Sequence, residues 1–287
     1  MNEGVKEPMT NEQIHEMAQK LRMEAVRMVY EGKDGHPGPA LSIADIIATL
    51  YFDVMNIDPK NPEWPDRDRL ILSKGHSCPI LYAALNERGY FEPKVEHFEL
   101  RQLHSMFQGH PSMHSTPGLD MTSGSLGNGI AIGAGMAFAA KTLGKDYTTY
   151  VICGDGELQE GVCWEGVNMA AGRQLDNLVV FVDRNGWQSY KSVEFTVGHN
   201  NIADRFRAFG WHTQEISGHD IGAIRAAVEI AKSQKGVPCC IVCDCVKGKG
   251  VSYMENQAGW HGKAPNDEEY EKAMTELKAQ LAEVEAM

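Results

Sequence analysis

Residues 151–161 are VICGDGELQEG, and this stretch decides which fold the chain can form. Val151 to Gly154 have the character of a buried strand, and a loop with two glycines follows before a long helical pattern. This is the layout of a phosphate-binding loop at the end of a parallel strand. The charged residues of the loop are nonetheless all acidic: Asp155, Glu157 and Glu160. The stretch therefore raises the question of what neutralises a phosphate at this position.

Strands and helices alternate along the second half of the chain. Apolar runs predict strands at 69–73, 149–153, 178–183, 211–216 and 239–246. Apolar residues at helical spacing predict helices at 11–30, 42–54, 78–88, 128–143, 158–173, 201–209, 221–234 and 267–284. Loops are predicted at 32–40, which is rich in Gly and Pro, and at 184–199. This alternation predicts an α/β fold, a parallel sheet with helices on both faces. No composition break divides the chain, so we expect a single domain over 1–287, with a polar leader at about 1–9.

Composition excludes some classes of function. The chain has 287 residues and a formal net charge of −12, which disfavours nonspecific binding to nucleic acid phosphates. Seven scattered cysteines are typical of a reducing compartment rather than of a secreted disulfide framework. The longest Gly/Ala-rich apolar stretch, 130–140, is too short to span a bilayer. We therefore expect a cytoplasmic protein that binds neither nucleic acid nor membrane.

A divalent cation would explain the acidic loop. Mg²⁺ or Ca²⁺ takes oxygen ligands from carboxylates, amides, backbone carbonyls and phosphates. Asp155 follows one predicted strand, and Asn185 follows the next strand thirty positions later. Gly154 and Gly156 would let the backbone approach a diphosphate, and the N-terminus of the next helix would offer N–H donors. The dinucleotide fingerprint G-x-G-x-x-G fails at Gln159, and no P-loop pattern occurs.

These residues carry a resemblance to a known family. GDGELQEG followed by DRNGW resembles the thiamin diphosphate motif, which begins with GDG and ends about thirty residues later in Asn. Five further segments resemble transketolase in the same order: DGHPGPALSIAD (34–45), DRLILSKGHS (68–77), RQLHSMFQGHPS (101–112), SGSLGNGI (123–130) and WHGKAP (260–265). The resemblance covers roughly residues 10–275 and implies the thiamin diphosphate-binding fold.

The resemblance implies a set of site residues. The implied metal ligands are Asp155, Asn185 and the carbonyl of Trp187. The residues implied to contact thiamin diphosphate are His76, Gly124, Leu126, Gly154, Asp155, Gly156, Glu157, Asn185, Trp187 and His261. The implied catalytic histidines are His36, His76, His110 and His261. Glu160 and Glu165 are expected at a subunit interface, in a carboxylate relay between two active sites.

The implied reaction is transfer of a two-carbon ketol unit from a ketose, phosphorylated or otherwise anionic, to an aldose. Histidine suits the proton transfers because its pKa lies near neutrality. The chain resembles only the N-terminal part of transketolase. The resemblance assigns the pyrimidine-binding domain and its activating glutamate to a separate C-terminal subunit, which predicts an α2β2 heterotetramer.

Two other interpretations stay open at this point. One is a subunit of another thiamin diphosphate enzyme, such as the α subunit of a 2-oxoacid dehydrogenase or a deoxyxylulose-phosphate-synthase-like protein. The other is a noncatalytic interaction subunit that kept the fold.

Three local features depart from the family pattern or have two interpretations. Ser125 stands where transketolases usually have Pro, and Trp187 replaces an aliphatic residue. The KGKG segment at 247–250 is either a solvated turn or a contact to the diphosphate or to another subunit.

Overall fold

A computed structural model describes residues 9–198 and 201–286. The predicted leader at about 1–9 therefore lies almost entirely outside the described residues. Within those ranges every helix is too short or too polar to span a bilayer.

The centre of the described chain is a five-stranded, wholly parallel sheet. Its strands are β1 (Arg69–Leu72), β2 (Thr149–Gly154), β3 (Leu178–Arg184), β4 (His212–Ser217) and β5 (Cys239–Asp244). Their order across the sheet is β1-β2-β3-β5-β4. The register aligns Gly154 with Asp183, so β2 and β3 end side by side. Every predicted strand is present, within two residues at each end.

Helices cover both faces of this sheet, as the alternating pattern predicts. The helices are α1 (Asn11–Gly32), α2 (Pro37–Leu41), α3 (Ala44–Thr49), α4 (Cys78–Arg88), α5 (Asn128–Leu143), α6 (Gly161–Gly172), α7 (Val193–Thr196), α8 (Ile202–Ala208), α9 (Ile221–Ser233) and α10 (Asp267–Glu285). One hydrophobic core joins α1, α3, α4, α9 and α10 to one face of the sheet. A second core joins α5, α6 and α8 to the opposite face.

The alternation of side chains along β5 divides its cysteines between the two cores. Cys239 and Cys243 belong to the first core and Cys240 to the second. All seven cysteines are buried. Within residues 9–198 and 201–286, no three His, Cys, Asp or Glu side chains form a metal-binding cluster. The cysteine-rich strand is therefore core.

Small residues bring α5 and α6 close together. A Cβ atom added to Gly166 would lie 2.8 Å from the Ala131 Cα atom, and one added to Gly133 would lie 2.5 Å from a Val151 methyl carbon. Both contacts are shorter than a real Cβ atom tolerates, so glycine is required there. The Gly/Ala-rich sequence of α5 thus lets this helix lie directly on α6 and on the sheet.

Three local predictions are wrong. The predicted loop at 32–40 contains the start of α2, which Pro37 opens as a favourable first residue. The predicted helix 158–173 is interrupted: a 3-10 turn at Gly156–Gln159 ends at Glu160, whose extended backbone separates it from α6. The predicted loop after β3 contains the short helix α7, which Ser192 caps through a hydrogen bond to the Phe195 N–H.

Candidate active site

Asp155 stands at the point where β2 ends, and its side chain joins two strand ends. Its Oδ1 atom accepts a hydrogen bond from the Gly156 N–H at 2.8 Å, and its Oδ2 atom accepts one from the Gly186 N–H at 2.7 Å. The first N–H of the 3-10 turn therefore binds Asp155, and the predicted contact of this turn with a diphosphate stays a prediction. Asp155 is 3% exposed.

Asn185 follows β3 and lies beside Asp155. Its Oδ1 atom accepts a hydrogen bond from the Trp187 N–H at 3.0 Å, and its Nδ2 atom donates to Asp183 Oδ2 at 2.7 Å. Asp155 binds the backbone of Gly186, the residue after Asn185, so the two predicted metal ligands converge. Both line one cavity together with Trp187.

The same cavity contains most of the predicted cofactor contacts. Its lining residues are Pro39, Lys74, His76, Leu126, Gly154, Asp155, Gly156, Glu157, Gln159, Glu160, Asn185, Trp187, Gln188, Ser189 and His261. Nine of the ten predicted cofactor contacts are in this set. The tenth, Gly124, lies on the neighbouring loop, where an added Cβ atom would be 3.3 Å from the His110 ring.

Glu157 is buried in this loop and is occupied by the chain's own donors. Its Oε1 atom accepts hydrogen bonds from the Ser73 hydroxyl and from the Gly127 N–H, and its Oε2 atom accepts one from the Gly154 N–H. Burial raises the pKa of Glu157. The side chain joins three loops of the site, and its predicted contact with the cofactor stays a prediction.

Three of the four predicted catalytic histidines form a cluster. The ring centroids of His36, His76 and His261 lie 5.0 to 5.3 Å from one another. They come from three separate segments: the residue before α2, the 3-10 turn after β1, and the loop before α10. His110 is exposed and lies outside this triangle, against Gly124.

All four of these histidines favour the neutral form. Burial, followed by the Arg101 charge, lowers the pKa of His36 to about 4. Burial, followed by Lys247, lowers the pKa of His261 to about 3. The pKa of His76 falls well below its ordinary value for the same reason, burial first, and the pKa of His110 is also lowered. At neutral pH these rings can accept and donate hydrogen bonds without carrying charge.

Two buried lysines belong to the site and were not among the predicted site residues. Lys74 Nζ lies 2.6 Å from Asp183 Oδ2 and 2.7 Å from the Pro39 carbonyl oxygen. Lys247 Nζ lies 3.0 Å from His261 Nδ1 and 3.1 Å from the Gln188 carbonyl oxygen. Burial, followed by repulsion from Lys74, lowers the pKa of Lys247 to about 8.

The position of KGKG after β5 was the available signal for Lys247. Its two lysines lie differently: Lys247 is buried beside His261, whereas Lys249 is part-exposed, with its Nζ atom 4.0 Å from Glu255. For Lys74 the signal was its position within KGHS after β1, the segment that also supplies His76.

The predicted interface residues, Glu160 and Glu165, are both exposed in the single chain. Glu160 also lines the cavity and lies at the break before α6. Their roles at a subunit contact stay predictions.

The side chains at the two strand ends fit a divalent cation. Burial, followed by repulsion from Asp183, raises the pKa of Asp155 to about 7 although two backbone N–H groups bind it. Within the described ranges Asp155 forms no ion pair with a lysine, arginine or histidine. A buried carboxylate without a cation is unfavourable, and the nearby carboxylate, amide and carbonyl oxygens are ligands that Mg²⁺ and Ca²⁺ prefer.

This arrangement of glycine loops, acidic residues and helix-flanked parallel strand ends is that of a thiamin diphosphate-binding domain. The family described as "Transketolase, thiamine diphosphate binding domain" matches residues 13–283. The chain belongs to this family.

Similar proteins include separate subunits and full-length enzymes. The 6-deoxy-6-sulfo-D-fructose transketolase subunit SqwG of Clostridium sp. (strain MSTE9) is 43% identical over 249 residues, which cover 86% of this chain and 90% of that protein. An apulose-4-phosphate transketolase subunit of Phocaeicola vulgatus is 36% identical, with 96% of this chain and 97% of that protein covered. The crystal structure of Campylobacter jejuni transketolase has a TM-score of 0.87 and 32% identity, and covers 96% of this chain.

The extent of these matches separates two kinds of relative. The chain spans nearly all of the two subunits but only 46% of the Campylobacter enzyme. The resemblance to the N-terminal part of transketolase and the α/β fold are therefore confirmed, and the chain is a member of the transketolase enzyme family.

Proposed function

We propose that this chain is the cofactor-binding subunit of a split transketolase, which transfers a two-carbon ketol unit from an anionic ketose to an aldose. The observation that carries this proposal is the meeting of Asp155 and Asn185 beside the cluster of His36, His76 and His261. An enzyme of this class needs both an anchor for a diphosphate and uncharged proton donors for a sugar. This site has candidates for both within one region.

Asp155, Asn185 and the Trp187 carbonyl oxygen would hold Mg²⁺ or Ca²⁺, and the cation would neutralise the diphosphate. Lys247 is close enough to add positive charge, since its Nζ atom is buried beside the same cavity. Thiamin diphosphate, when bound, supplies the electron sink for cleavage and formation of carbon–carbon bonds. Gly154, Gly156, Gly124 and Leu126 would form the walls around it.

The histidines would bind and orient the hydroxyl groups of the sugar. Lys247 donates to His261 Nδ1, so His261 carries its own proton on Nε2 and presents a donor there. His36 and His261 are our candidates for the acid/base groups, and His76 and His110 for orienting substrate. The lowered pKa values keep these rings neutral at pH 7.

A partner subunit is part of the proposal. Two relatives that match over nearly their whole length are named as transketolase subunits. The partner would contribute the pyrimidine-binding domain and the activating glutamate, in an α2β2 heterotetramer with Glu160 and Glu165 at a subunit contact. A cytoplasmic location stays a prediction.

The substrate would be a sugar with an anionic end. The names of the two relatives specify a sulfonated ketose and a sugar phosphate. Pentose phosphates are therefore one candidate class, and sulfonated ketoses are another.

The test is reconstitution of the pair. We expect ketol transfer when this chain, a separately produced C-terminal transketolase subunit, thiamin diphosphate and Mg²⁺ are mixed, and at most trace turnover when either subunit is omitted. The ketose donors tested in this assay should include xylulose 5-phosphate, fructose 6-phosphate and 6-deoxy-6-sulfofructose. Robust turnover by this chain in isolation would contradict the split, and pyruvate turnover without ketose turnover would favour a 2-oxoacid or deoxyxylulose-phosphate-synthase-like enzyme.

Calorimetry distinguishes a cofactor-binding subunit from a noncatalytic interaction subunit. Titration of thiamin diphosphate into the paired subunits should show binding that depends on Mg²⁺ and disappears with a chelator. A pair that assembles but shows no such binding would mean that the chain kept the fold without the function.

A further inference from the structure

Arg101 lies against the histidines of the site instead of extending into solvent. Its Nη2 atom is 3.5 Å from His36 Nδ1, and its Nη1 atom is 3.0 Å from Asp34 Oδ2. The side chain is 27% exposed. A single guanidinium thus contacts both the histidine that precedes α2 and the carboxylate two residues earlier.

The surrounding backbone is shaped to hold the guanidinium at this place. A Cβ atom on Gly109 would lie 2.6 Å from Arg101 Cζ and 2.8 Å from Nη2, so a side chain at position 109 would displace the guanidinium from this place. Arg101 itself has φ of +61°, an uncommon backbone conformation for a residue with a side chain. Its N–H donates to the Phe107 carbonyl oxygen at 2.9 Å, which closes the loop between them.

The contact has a chemical consequence for His36. An arginine is protonated at every working pH and can only donate. A hydrogen bond from Arg101 to His36 therefore requires Nδ1 as the acceptor and a ring proton on Nε2. The other side of the His36 ring borders a second cavity, lined by Ser189, Tyr190, Ala258, Gly259, His261 and Gly262.

We propose that Arg101 is a positioning residue, which fixes His36 as the neutral tautomer with its proton on Nε2, and that Asp34 orients the guanidinium for this task. The inference rests on the proposed function, because the partner for the Nε2–H donor of His36 would be a sugar hydroxyl bound in the adjoining cavity. A histidine with a free choice of tautomer would present that donor for only part of the time.

Other groups near His36 could also influence its proton. Those that face it are Asp34, His76, Arg101, His110, Lys247 and His261. Of the side chains described, Arg101 forms the hydrogen bond to Nδ1. Substitution of Arg101 should therefore change the tautomer, whereas the other neighbours act only through charge or ring contact.

Nitrogen NMR of the full chain labelled with ¹⁵N-histidine tests the proposal without any activity. The His36 signals are assigned from their loss in His36→Gln. In the unsubstituted chain we expect an unprotonated Nδ1 and a protonated Nε2. In Arg101→Met the two nitrogen shifts should move toward each other, because the tautomers mix. Gly109→Ala should cause a change in the same direction although the arginine is still present.

Arg207→Met is the matched control, since Arg207 is an exposed arginine on α8 with ion pairs to Asp204 and Glu215. It should leave the His36 shifts unchanged. A protonated Nδ1 in the unsubstituted chain, or identical His36 shifts in folded Arg101→Met or Gly109→Ala, would overturn the proposal. If Arg101→Met does not fold, Gly109→Ala and Arg101→Lys decide the same point.

Kinetics of the reconstituted pair provide a second readout. Arg101→Met should lower kcat/KM about tenfold and move the acidic limb of the pH profile toward neutrality, because His36 then gains a proton more easily. Arg101→Lys should restore the charge and part of the pH profile. A loss of activity with an unshifted profile would indicate a merely structural role and contradict the proposal. If the unsubstituted pair shows no ketol transfer, the proposed function fails, and the NMR result still decides the role of Arg101.

Discussion

Two buried aspartates lie at neighbouring strand ends, and their carboxylates bind different kinds of groups. Asp183, in β3, is fully buried and binds the Lys74 ammonium at 2.6 Å, with the Ser42 hydroxyl and the Asn185 amide each at 2.7 Å. Asp155, just after β2, is also buried, and among the described residues its carboxylate has two hydrogen-bond donors, both backbone N–H groups. The two carboxylates are adjacent, because the Asp155 N–H donates to the Asp183 carbonyl oxygen.

The pKa values of the two carboxyl groups are shifted in opposite directions. Burial would raise the pKa of Asp183, but Lys74 and the hydrogen bonds lower it below its ordinary value. Burial and the Asp183 charge raise the pKa of Asp155 to about 7. A buried carboxylate with its own lysine is a structural element, whereas one without a cation is a candidate ligand for a cation from outside.

The largest expected effect comes from breaking the structural pair. Asp183→Asn removes the charge that Lys74 faces and leaves a buried ammonium without a counterion. We expect the free energy of unfolding to fall by about 3–5 kcal/mol, measured by urea denaturation. Asp204→Asn, in an exposed ion pair, is the control and should change stability by less than about 1 kcal/mol. A loss as small as that of the control would show that the buried pair does not stabilise the fold.

Asp155→Asn should act on ligand binding. Loss of the carboxylate removes the only charged group among the predicted metal ligands, so Mg²⁺-dependent affinity for thiamin diphosphate should fall at least ~100-fold in the reconstituted pair. Calorimetry measures the affinity, and Asp204→Asn again serves as control. In the variant, a chelator should cause little further loss. Unchanged affinity would mean that Asp155 does not hold the metal.

The sequence predicted the strand ends well, because the strands are apolar runs bounded by turn residues, and a parallel sheet brings such ends to one edge. Asp155 and Asn185 follow directly from this geometry. The ion pair beside them could not be predicted in this way. Lys74 and Asp183 are 109 positions apart, and no local pattern indicates that they pair. Asp183 simply ends the apolar run LVVFVD.

The predictions fail where tertiary contacts decide the local conformation. The break at Glu160 separates two helical segments that share one continuous helical pattern, and Glu157 fixes the preceding turn by binding Ser73 and Gly127. The position of the Arg101 guanidinium likewise depends on the absence of a side chain at Gly109. Such contacts join distant segments, so periodicity and spacing contain no signal for them.

Asp155→Asn should also stabilise the chain in the absence of metal at pH 8. The folded-state pKa of about 7 lies above the ordinary value of 3.8, so the native state prefers the protonated carboxyl and loses stability as pH rises through 7. An uncharged amide avoids this cost but gives up one backbone hydrogen bond. We expect a net gain of about 1–2 kcal/mol at pH 8 that disappears near pH 5. Urea denaturation at both pH values measures it, and destabilisation at pH 8 would refute the account of Asp155.

The pH dependence of stability separates His36 from an exposed histidine. The folded-state pKa of His36, about 4, lies below the ordinary value of 6.5, so below pH 6.5 the unfolded chain binds more protons than the native one. Stability should therefore fall as pH drops from 6.5 toward 4. His36→Gln should flatten this dependence by up to about one proton, as measured by denaturation at several pH values. His114→Gln, at an exposed position, should keep the original slope. Equal slopes in the two variants would mean that His36 is not held neutral by its surroundings.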